Sequence, residues 1–184
     1  GIWTYTAHQE IMNTRGPQKM NPLLIPMQVV DSASVQVGIK YGAHGPNFGI
    51  ASACSTGADA IGMALETIKR GDAQVMISGG AEAAVHPLGI AGFDNMGALS
   101  HRNDSPAEAS RPFDADRDGF VVAEGAGVLI LESLDYALAR GAEPLAEIIS
   151  YAGTSDGVHF TAPDESAAQS ARAIRRVLGK GGIT

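Results

Sequence analysis

The sequence predicts an α/β protein built in layers, and two observations support this. Short apolar runs with the pattern of buried strands alternate along the chain with segments whose apolar residues recur at helical spacing. Glycine makes up 23 of the 184 residues, and most glycines fall at the junctions between these segments, where tight turns and close backbone approaches need them. Strands and helices joined by such turns are typical of a layered fold.

Three elements are predicted in the first 71 residues. A helix begins at Pro26, because proline is tolerated in the first helical turn, and it ends before Gly42. A short apolar strand covers residues 47–53. A second helix follows Cys54, carries its apolar residues on one face and ends at Gly71.

The rest of the chain continues the alternation around one long loop that is punctuated by glycines. The predicted elements, in order, are a strand over residues 75–78 ended by Gly79 and Gly80, the loop over 81–118, a strand over 127–132, a helix over 134–140 closed by Gly141, a strand over 145–152, and a helix capped by Asp164 or Ser166 and followed by Gly179. Because the strand over 127–132 is almost continuously apolar, it is expected to be buried on both faces.

The charge balance excludes two classes of partner. The formal net charge is -7 and the isoelectric point is near 5.1. Nucleic acids and anionic membrane surfaces are bound by basic patches, and the sequence contains no run of Lys and Arg that could form one. We therefore expect neither a nucleic acid nor a membrane as a partner.

The cysteine content and the chain ends lead to two further expectations. A single cysteine cannot form an internal disulfide, no signal segment opens the chain, and no apolar stretch approaches the about 18 residues that a membrane span needs, so a cytoplasmic location is expected. The chain begins without methionine and stops directly after a helical pattern. We therefore expect it to be a piece of a longer protein.

Cys54 occupies a chemically special position between a predicted buried strand and the first turn of a predicted helix. Unpaired amide groups and the positive end of the helix dipole would stabilise a thiolate there. The same amides could bind the oxyanion of a tetrahedral acyl intermediate, which makes Cys54 a candidate nucleophile. A lone cysteine in an apolar protein is also commonly an inert core residue, and its position alone leaves both interpretations open.

Four motifs in fixed order resemble a known family, the β-ketoacyl-acyl-carrier-protein synthases or ketosynthases. They are GPNFGIASACSTG at residues 45–57, GDAQVMISGGAE at 71–82, LSHRND at 99–104 and RPFDADRDGFVVAEGAG at 111–127. Essentially the whole chain follows the family's order, and it looks most like the stand-alone elongating synthases of the second kind. Several long motifs in succession are far more specific than any one of them.

The resemblance implies a thiolase-like fold of five αβαβα layers in a homodimer, with residues of about 1–140 ending the N-terminal half and 141–184 beginning the C-terminal half. It implies that Cys54 takes an acyl chain from acyl-carrier protein as a thioester. Malonyl-acyl-carrier protein would then be decarboxylated, and its carbanion would attack that thioester. The family uses no metal and no organic cofactor for this reaction.

The histidines are the main departure from the family. Its two catalytic histidines lie in an Asn-Ala-His-Gly-Thr-like segment and a Lys-x-x-x-Gly-His-like segment, and neither segment occurs in this sequence. The chain's own histidines stand in other contexts; they are His8, His44, His86, His101 and His159. We therefore expect that this polypeptide alone can at best be acylated and cannot condense.

Two further residues match substrate-binding positions of the family. Thr161, in a loop that also contains Asp156 and His159, matches a hydroxyl near the pantetheine entrance; alternatively, Asp156 and Thr161 only bond the loop backbone. Phe93 matches a region that lines the acyl channel, and the alternative is an ordinary core phenylalanine. Both pairs of interpretations stay open.

Two motifs are expected to be decoys. Residues 114–119 match the first six positions of a calcium-binding EF-hand loop, but position twelve is Gly125 where such a loop needs a bidentate glutamate. We expect the Asp and Arg residues to pair within a turn and expect no metal. The glycines at 79–80 and 125–127 lack the spacing of a dinucleotide-binding fingerprint.

Three alternatives to a fatty-acid-elongating ketosynthase are considered. A polyketide-type ketosynthase would use the same chemistry on a different pathway. A non-catalytic partner subunit that shapes chain length would lack the nucleophile, and the presence of Cys54 opposes it. A hydrolase would use the cysteine to release acyl groups to water, and only the histidine context separates it from a ketosynthase.

Overall fold

The computed structural model describes residues 1–183. The chain packs as two units, one formed by residues 1–36 and 81–126 and the other by residues 37–80 and 127–183. The helices and strands, in chain order, are α1 (Ile2–Arg15), α2 (Ser32–Tyr41), α3 (Thr56–Arg70), β1 (Val75–Glu82), α4 (Pro87–Asn95), β2 (Gly125–Glu132), α5 (Leu134–Ala139) and α6 (Ala168–Gly181). The predicted division near residue 140 is a different one, and it stays a prediction.

In the first unit, α1 packs against the start of α4 through polar and aromatic contacts. The indole Nε1 of Trp3 donates to the carbonyl oxygen of Val85 at 3.2 Å, and its ring meets the His86 imidazole edge to face at 4.3 Å. His86 Nδ1 accepts from the Leu88 amide at 3.0 Å, which caps α4. His86 Nε2 must then carry the proton and donate to the Thr6 hydroxyl at 3.0 Å.

In the second unit, α3 is the central helix, and its predicted bounds are confirmed. It ends at Gly71, whose left-handed φ of 82° lets its amide bond back to the last turn of the helix. The face that carries Ala64, Leu65 and Thr67 is buried. Leu131 and Ala137 add the remaining buried apolar side chains of this unit.

Strands β1 and β2 form a two-stranded sheet. They run antiparallel, because the Ser133 amide donates to the Gln74 carbonyl at one end while Gly79 lies beside Gly127 near the other. The prediction that Gly79 and Gly80 end the first strand is wrong, since β1 continues to Glu82. A glycine within the strand permits the close approach of β2.

Two predicted strands, over residues 47–53 and 145–152, are not strands in the structure. A strand needs a ladder partner for its backbone groups, and within residues 1–183 neither segment pairs with one. Strand β2 forms, but it is not buried on both faces, because its central residues Val128, Leu129 and Ile130 are half or more exposed. Sequence periodicity predicts which segments have apolar faces, but it does not predict which other segments pack against those faces.

Several helix boundaries also differ from the prediction. Consecutive turns occupy residues 22–31, so α2 begins at Ser32 and not at Pro26. The loop predicted over 81–118 contains α4. Helix α6 begins after Ala167, in place of an Asp164 or Ser166 cap, and continues through Gly179 to Gly181.

Helix α1 was absent from the prediction. Its apolar residues are spread around the helix and none is buried, so no periodic stripe marked it. None of the helices within residues 1–183 combines the length and the apolar character needed to cross a bilayer.

Candidate functional site

Cys54 lies in a single 3-10 turn, Ala53–Ser55, that leads directly into α3. The turn is closed by the Ser55 amide, which donates to the Ser52 carbonyl oxygen at 3.2 Å. Ala53 has a left-handed φ of 51°, a conformation that costs a non-glycine residue about 1–2 kcal/mol. The thiol of Cys54 is free and exposed, so the interpretation of Cys54 as an inert core residue is wrong.

The Asp59 carboxylate, one turn into α3, bonds to both sides of this turn. It accepts a short hydrogen bond from the Ser52 hydroxyl. The Ser55 hydroxyl shares its single proton between the Ser52 carbonyl oxygen at 2.9 Å and the same Asp59 oxygen at 3.2 Å. The Tyr151 hydroxyl donates to the other carboxylate oxygen at 2.6 Å. The bonds from Ser52 and Tyr151 lower the pKa of Asp59, and the bond to Asp59 raises the pKa of Tyr151.

The Tyr151 hydroxyl reaches Asp59 because the residue of α3 beneath the Tyr151 ring is a glycine, Gly62. A Cβ atom at Gly62 would collide with the Tyr151 ring. The Tyr151 backbone is also held, since Lys180 Nζ donates to its carbonyl oxygen at 3.0 Å. Nearby, Lys69 Nζ donates to the Ile149 carbonyl at 2.7 Å, so the segment is fixed to α3 and to α6.

Residues 52–55 and the loop of residues 156–163 together line an open depression of about 510 Å³. Its volume falls in the range of small-molecule pockets, about 300–1,000 Å³. His159 Nδ1 accepts from the amides of Thr161 and Ala162 at 3.1 and 3.0 Å, which shapes the loop. The structure therefore brings Cys54 and Thr161 to one depression.

The alternative interpretation of this loop, in which Asp156 and Thr161 only bond its backbone, holds for Asp156 but not for Thr161. The Asp156 carboxylate accepts from the Asp164 amide at 3.1 Å, so it bonds the backbone. The Thr161 side chain makes no hydrogen bond to any residue in the described range 1–183 and is exposed. Its contact with a pantetheine arm stays a prediction.

Phe93 belongs to the other unit, where it lies on α4. It is 39% exposed and meets Phe120 edge to face at 5.2 Å. It is thus not a fully buried core residue. Its role in an acyl channel stays a prediction.

The EF-hand-like segment forms a turn with its own internal bonds. Asp118 accepts from the Ser100 hydroxyl at 2.8 Å and pairs with Arg111 at 3.3 Å, while Arg117 donates to the Asp114 carbonyl. The expected pairing of Asp and Arg within the segment is therefore seen only in part: Asp118 pairs with Arg111, which precedes residues 114–119, and Arg117 bonds the backbone of Asp114 and not a carboxylate. Among residues 1–183 no cluster of three or more His, Cys, Asp or Glu side chains could hold a metal ion.

The Asp59 network is the part of the site that the sequence analysis missed. Ser55 and Asp59 are four residues apart at a helix start, a spacing that places them on one face and could have drawn attention. Tyr151 lies 92 residues from Asp59 along the chain, and no local pattern connects them.

The lowered pKa of Asp59 leads to a prediction for acid stability. A carboxylate whose folded pKa lies below its unfolded value, about 3.9, stabilises the protein above that value and stops doing so as the pH falls through the folded pKa. We expect Asp59→Asn to reduce the free energy of unfolding by about 0.5 kcal/mol at pH 7, because solvent screens the charge of this side chain, and by progressively less below about pH 4. Urea denaturation at a series of pH values measures this; a deficit that grows on acidification would contradict it.

An antiparallel pair of strands lies beside a helix that begins at an exposed thiol, and the solved structures that resemble this arrangement show the class: a thiolase-like fold of the ketosynthase type, present in part. A β-ketoacyl synthase from Burkholderia phymatum superposes with a TM-score of 0.89 at 36% identity over 98% of this chain and 43% of that one. A type II PKS ketosynthase, solved in complex with its acyl-carrier protein and bound to the hexaketide, also gives 0.89 at 36% identity, over 97% and 46%.

The chain belongs to the β-ketoacyl synthase family, because the model of the family's N-terminal domain matches residues 1–137. Two relatives are each called 3-oxoacyl-[acyl-carrier-protein] synthase 2. The one from Synechocystis is 46% identical over 100% of this chain and 44% of its own length, and the one from Vibrio cholerae is 43% identical over 97% and 43%. The chain thus spans less than half the length of these relatives.

Proposed function

We propose that this chain carries the acyl-accepting part of a β-ketoacyl-acyl-carrier-protein synthase, with Cys54 as the nucleophile. The observation that carries the proposal is the exposed thiol of Cys54 on the turn that opens α3, facing a depression shared with Thr161. The names of the relatives support the same chemistry.

In the acylation step, the Cys54 thiolate attacks the carbonyl carbon of an acyl thioester. A tetrahedral oxyanion forms, and amide groups at the start of α3 are the donors available to stabilise it. The carbon–sulfur bond to the carrier then breaks, and the carrier's sulfur leaves as a thiolate, which takes up the proton that the Cys54 thiol gave up on ionising. The acyl group remains on Cys54 as a thioester. Atoms and charge balance in this step without a cofactor.

In the condensation step, a malonyl thioester loses carbon dioxide, and the resulting carbanion attacks the acyl-Cys54 carbonyl. The Cys54 thiolate leaves and the β-ketoacyl product forms. The two histidine motifs that the family uses for this step do not occur in the sequence. The chain alone is therefore proposed to acylate but not to condense.

The proposed partners are the acyl and malonyl forms of acyl-carrier protein and a second copy of the protein in a homodimer. We also propose a cytoplasmic location, in keeping with a free thiol.

Fatty acid elongation is the favoured pathway, because relatives at 43–46% identity are named for the elongating synthase. The polyketide pathway is the second candidate, since solved neighbours at 33–36% identity include polyketide-type ketosynthases. Cys54 opposes a purely non-catalytic chain-length subunit.

Incubation of the chain with hexanoyl-coenzyme A tests the proposal, because coenzyme A carries the same pantetheine arm as the carrier. Intact-mass spectrometry is expected to show one hexanoyl group per chain, removable by hydroxylamine as a thioester is. Subsequent addition of malonyl-acyl-carrier protein is expected to give no β-keto product. Absence of the hexanoyl adduct would refute the acyl-acceptor role, and a β-keto product would refute the dependence on the absent histidine motifs.

A further inference from the structure

The residues on either side of Cys54 are tied to a single carboxylate. Ser52 lies two residues before the cysteine and Ser55 directly after it, and both hydroxyls are within hydrogen-bonding distance of the same oxygen of Asp59. The sulfur-bearing residue is therefore held between two anchored neighbours. Within residues 1–183 the segment that enters this turn pairs with no strand, so side-chain hydrogen bonds contribute to holding it.

The turn needs such anchoring because its backbone is unfavourable in isolation. Ala53 adopts a left-handed φ of 51°, which a non-glycine residue keeps only where surrounding contacts enforce it. The Ser52 amide donates to the Thr56 hydroxyl at 2.9 Å, which holds the segment before Cys54 against the first residue of α3. Asp59, one turn further along a rigid helix, gives the two serines a fixed point.

Tyr151 completes the arrangement from a distant part of the chain. Its hydroxyl donates to the carboxylate oxygen that the serines leave open, at 2.6 Å. The ring lies over Gly62, and the Lys180 ammonium group bonds the Tyr151 backbone. The carboxylate is thereby prevented from rotating away from the two serines.

We propose that Asp59 is a positioning residue for the Cys54 thiol, held in place by Tyr151, and that it sets the turn geometry that acylation requires. The inference rests on the proposed function, because it concerns how Cys54 meets an acyl thioester. Asp59 does not activate the sulfur: a negative charge near a thiol opposes its ionisation. A positioning role and an activating role therefore predict opposite responses to removal of the charge.

Acylation and simple alkylation of the same thiol separate these roles. Attack on an acyl thioester needs the sulfur aligned with oxyanion donors, whereas iodoacetamide needs only an accessible thiolate. We expect Asp59→Ala to lower the rate of acylation by hexanoyl-coenzyme A at least tenfold, as the loss of hydrogen bonds to a charged group implies. The alkylation rate by iodoacetamide is expected to stay within threefold of the wild type or to rise.

Asp59→Asn is the conservative rescue variant. Its amide can accept through oxygen and donate through nitrogen, and the Ser and Tyr hydroxyls can rotate to accept, so the network can re-form without the charge. We expect its acylation rate within about threefold of the wild type and a pH profile of alkylation shifted to lower pH or unchanged. A profile shifted to higher pH would show that the carboxylate activates the thiol, and this would overturn the inference.

The remaining outcomes are also decisive. If the wild-type chain takes up no hexanoyl group, the proposed function fails; if the wild type and Asp59→Ala are acylated at equal rates, only the positioning role fails. Parallel losses of acylation and alkylation in Asp59→Ala would show a general structural defect and overturn it too. If circular dichroism shows that Asp59→Ala does not fold, Tyr151→Phe, which removes one hydroxyl, takes its place in the test. A drop in its acylation rate of about threefold supports the positioning role. An unchanged rate refutes that role.

Discussion

Replacement of Cys54 by alanine is expected to abolish transfer of a hexanoyl group from hexanoyl-coenzyme A to the chain, with a rate at least about a thousandfold below the wild type. The chain has one cysteine, so no other thiol can take over. The Asp59 carboxylate beside the hydroxyls of Ser52 and Ser55 has a lowered pKa and is a weak base, so it activates neither hydroxyl, and an unactivated hydroxyl is a far weaker nucleophile than a thiolate. Intact-mass spectrometry follows the adduct over time.

Two measurements accompany this variant. Titration of free thiols should fall from one per chain to zero, and the far-ultraviolet circular dichroism spectrum should be unchanged, because the exposed Cys54 side chain contributes little packing. Cys54→Ser provides the matched comparison, since it keeps the size and a polar atom and is expected to lose acylation nearly as completely. A hydroxylamine-sensitive adduct that persists in the alanine variant would place the acyl acceptor elsewhere.

Gly79→Ala is expected to cost about 3 kcal/mol of stability, at the upper end of the range for overpacking. A Cβ atom at Gly79 would collide with the Gly127 carbonyl oxygen and approach the Val128 Cα to 2.8 Å. Both are backbone atoms of the paired strand, so no side-chain rotation can relieve the contact and β1 must separate from β2. Urea denaturation followed by circular dichroism measures the change in the free energy of unfolding.

Gly127→Ala is the matched control, on the facing strand. A Cβ atom there would meet nothing within 4 Å, and the residue has no left-handed φ. Its expected effect is below about 1 kcal/mol, since an alanine in a strand is close to neutral. Equal losses in the two variants would mean that the close approach at Gly79 is not what governs stability.

The parts of the fold that the sequence predicted well are those with strong local patterns. Helix α3 has an apolar face, a defined start after Cys54 and a left-handed glycine at its end, and each of these is a local property. Strands β1 and β2 were predicted for the same reason. The failures at residues 47–53 and 145–152 have a different origin, because strand formation depends on a partner that may lie anywhere in the chain.

The candidate site divides in the same way. Cys54 could be singled out from its neighbours, and Thr161 from a motif, and the structure places both at one depression. Asp59 and Tyr151 were not predicted, because their hydrogen bond depends on the space that Gly62, which has no side chain, leaves for the tyrosine ring. Such a contact is a property of packing between distant segments, and periodicity carries no information about it.

The bare strand β2 has a thermodynamic consequence. Val128 and Ile130 point to one side of the strand and Leu129 to the other, and all three remain in contact with solvent. Any molecule or polypeptide segment that covers these side chains binds the folded form in preference to the unfolded one and so raises its melting temperature by mass action. Where such a molecule is present, the heat resistance of this protein is set jointly by its own contacts and by the concentration of that molecule.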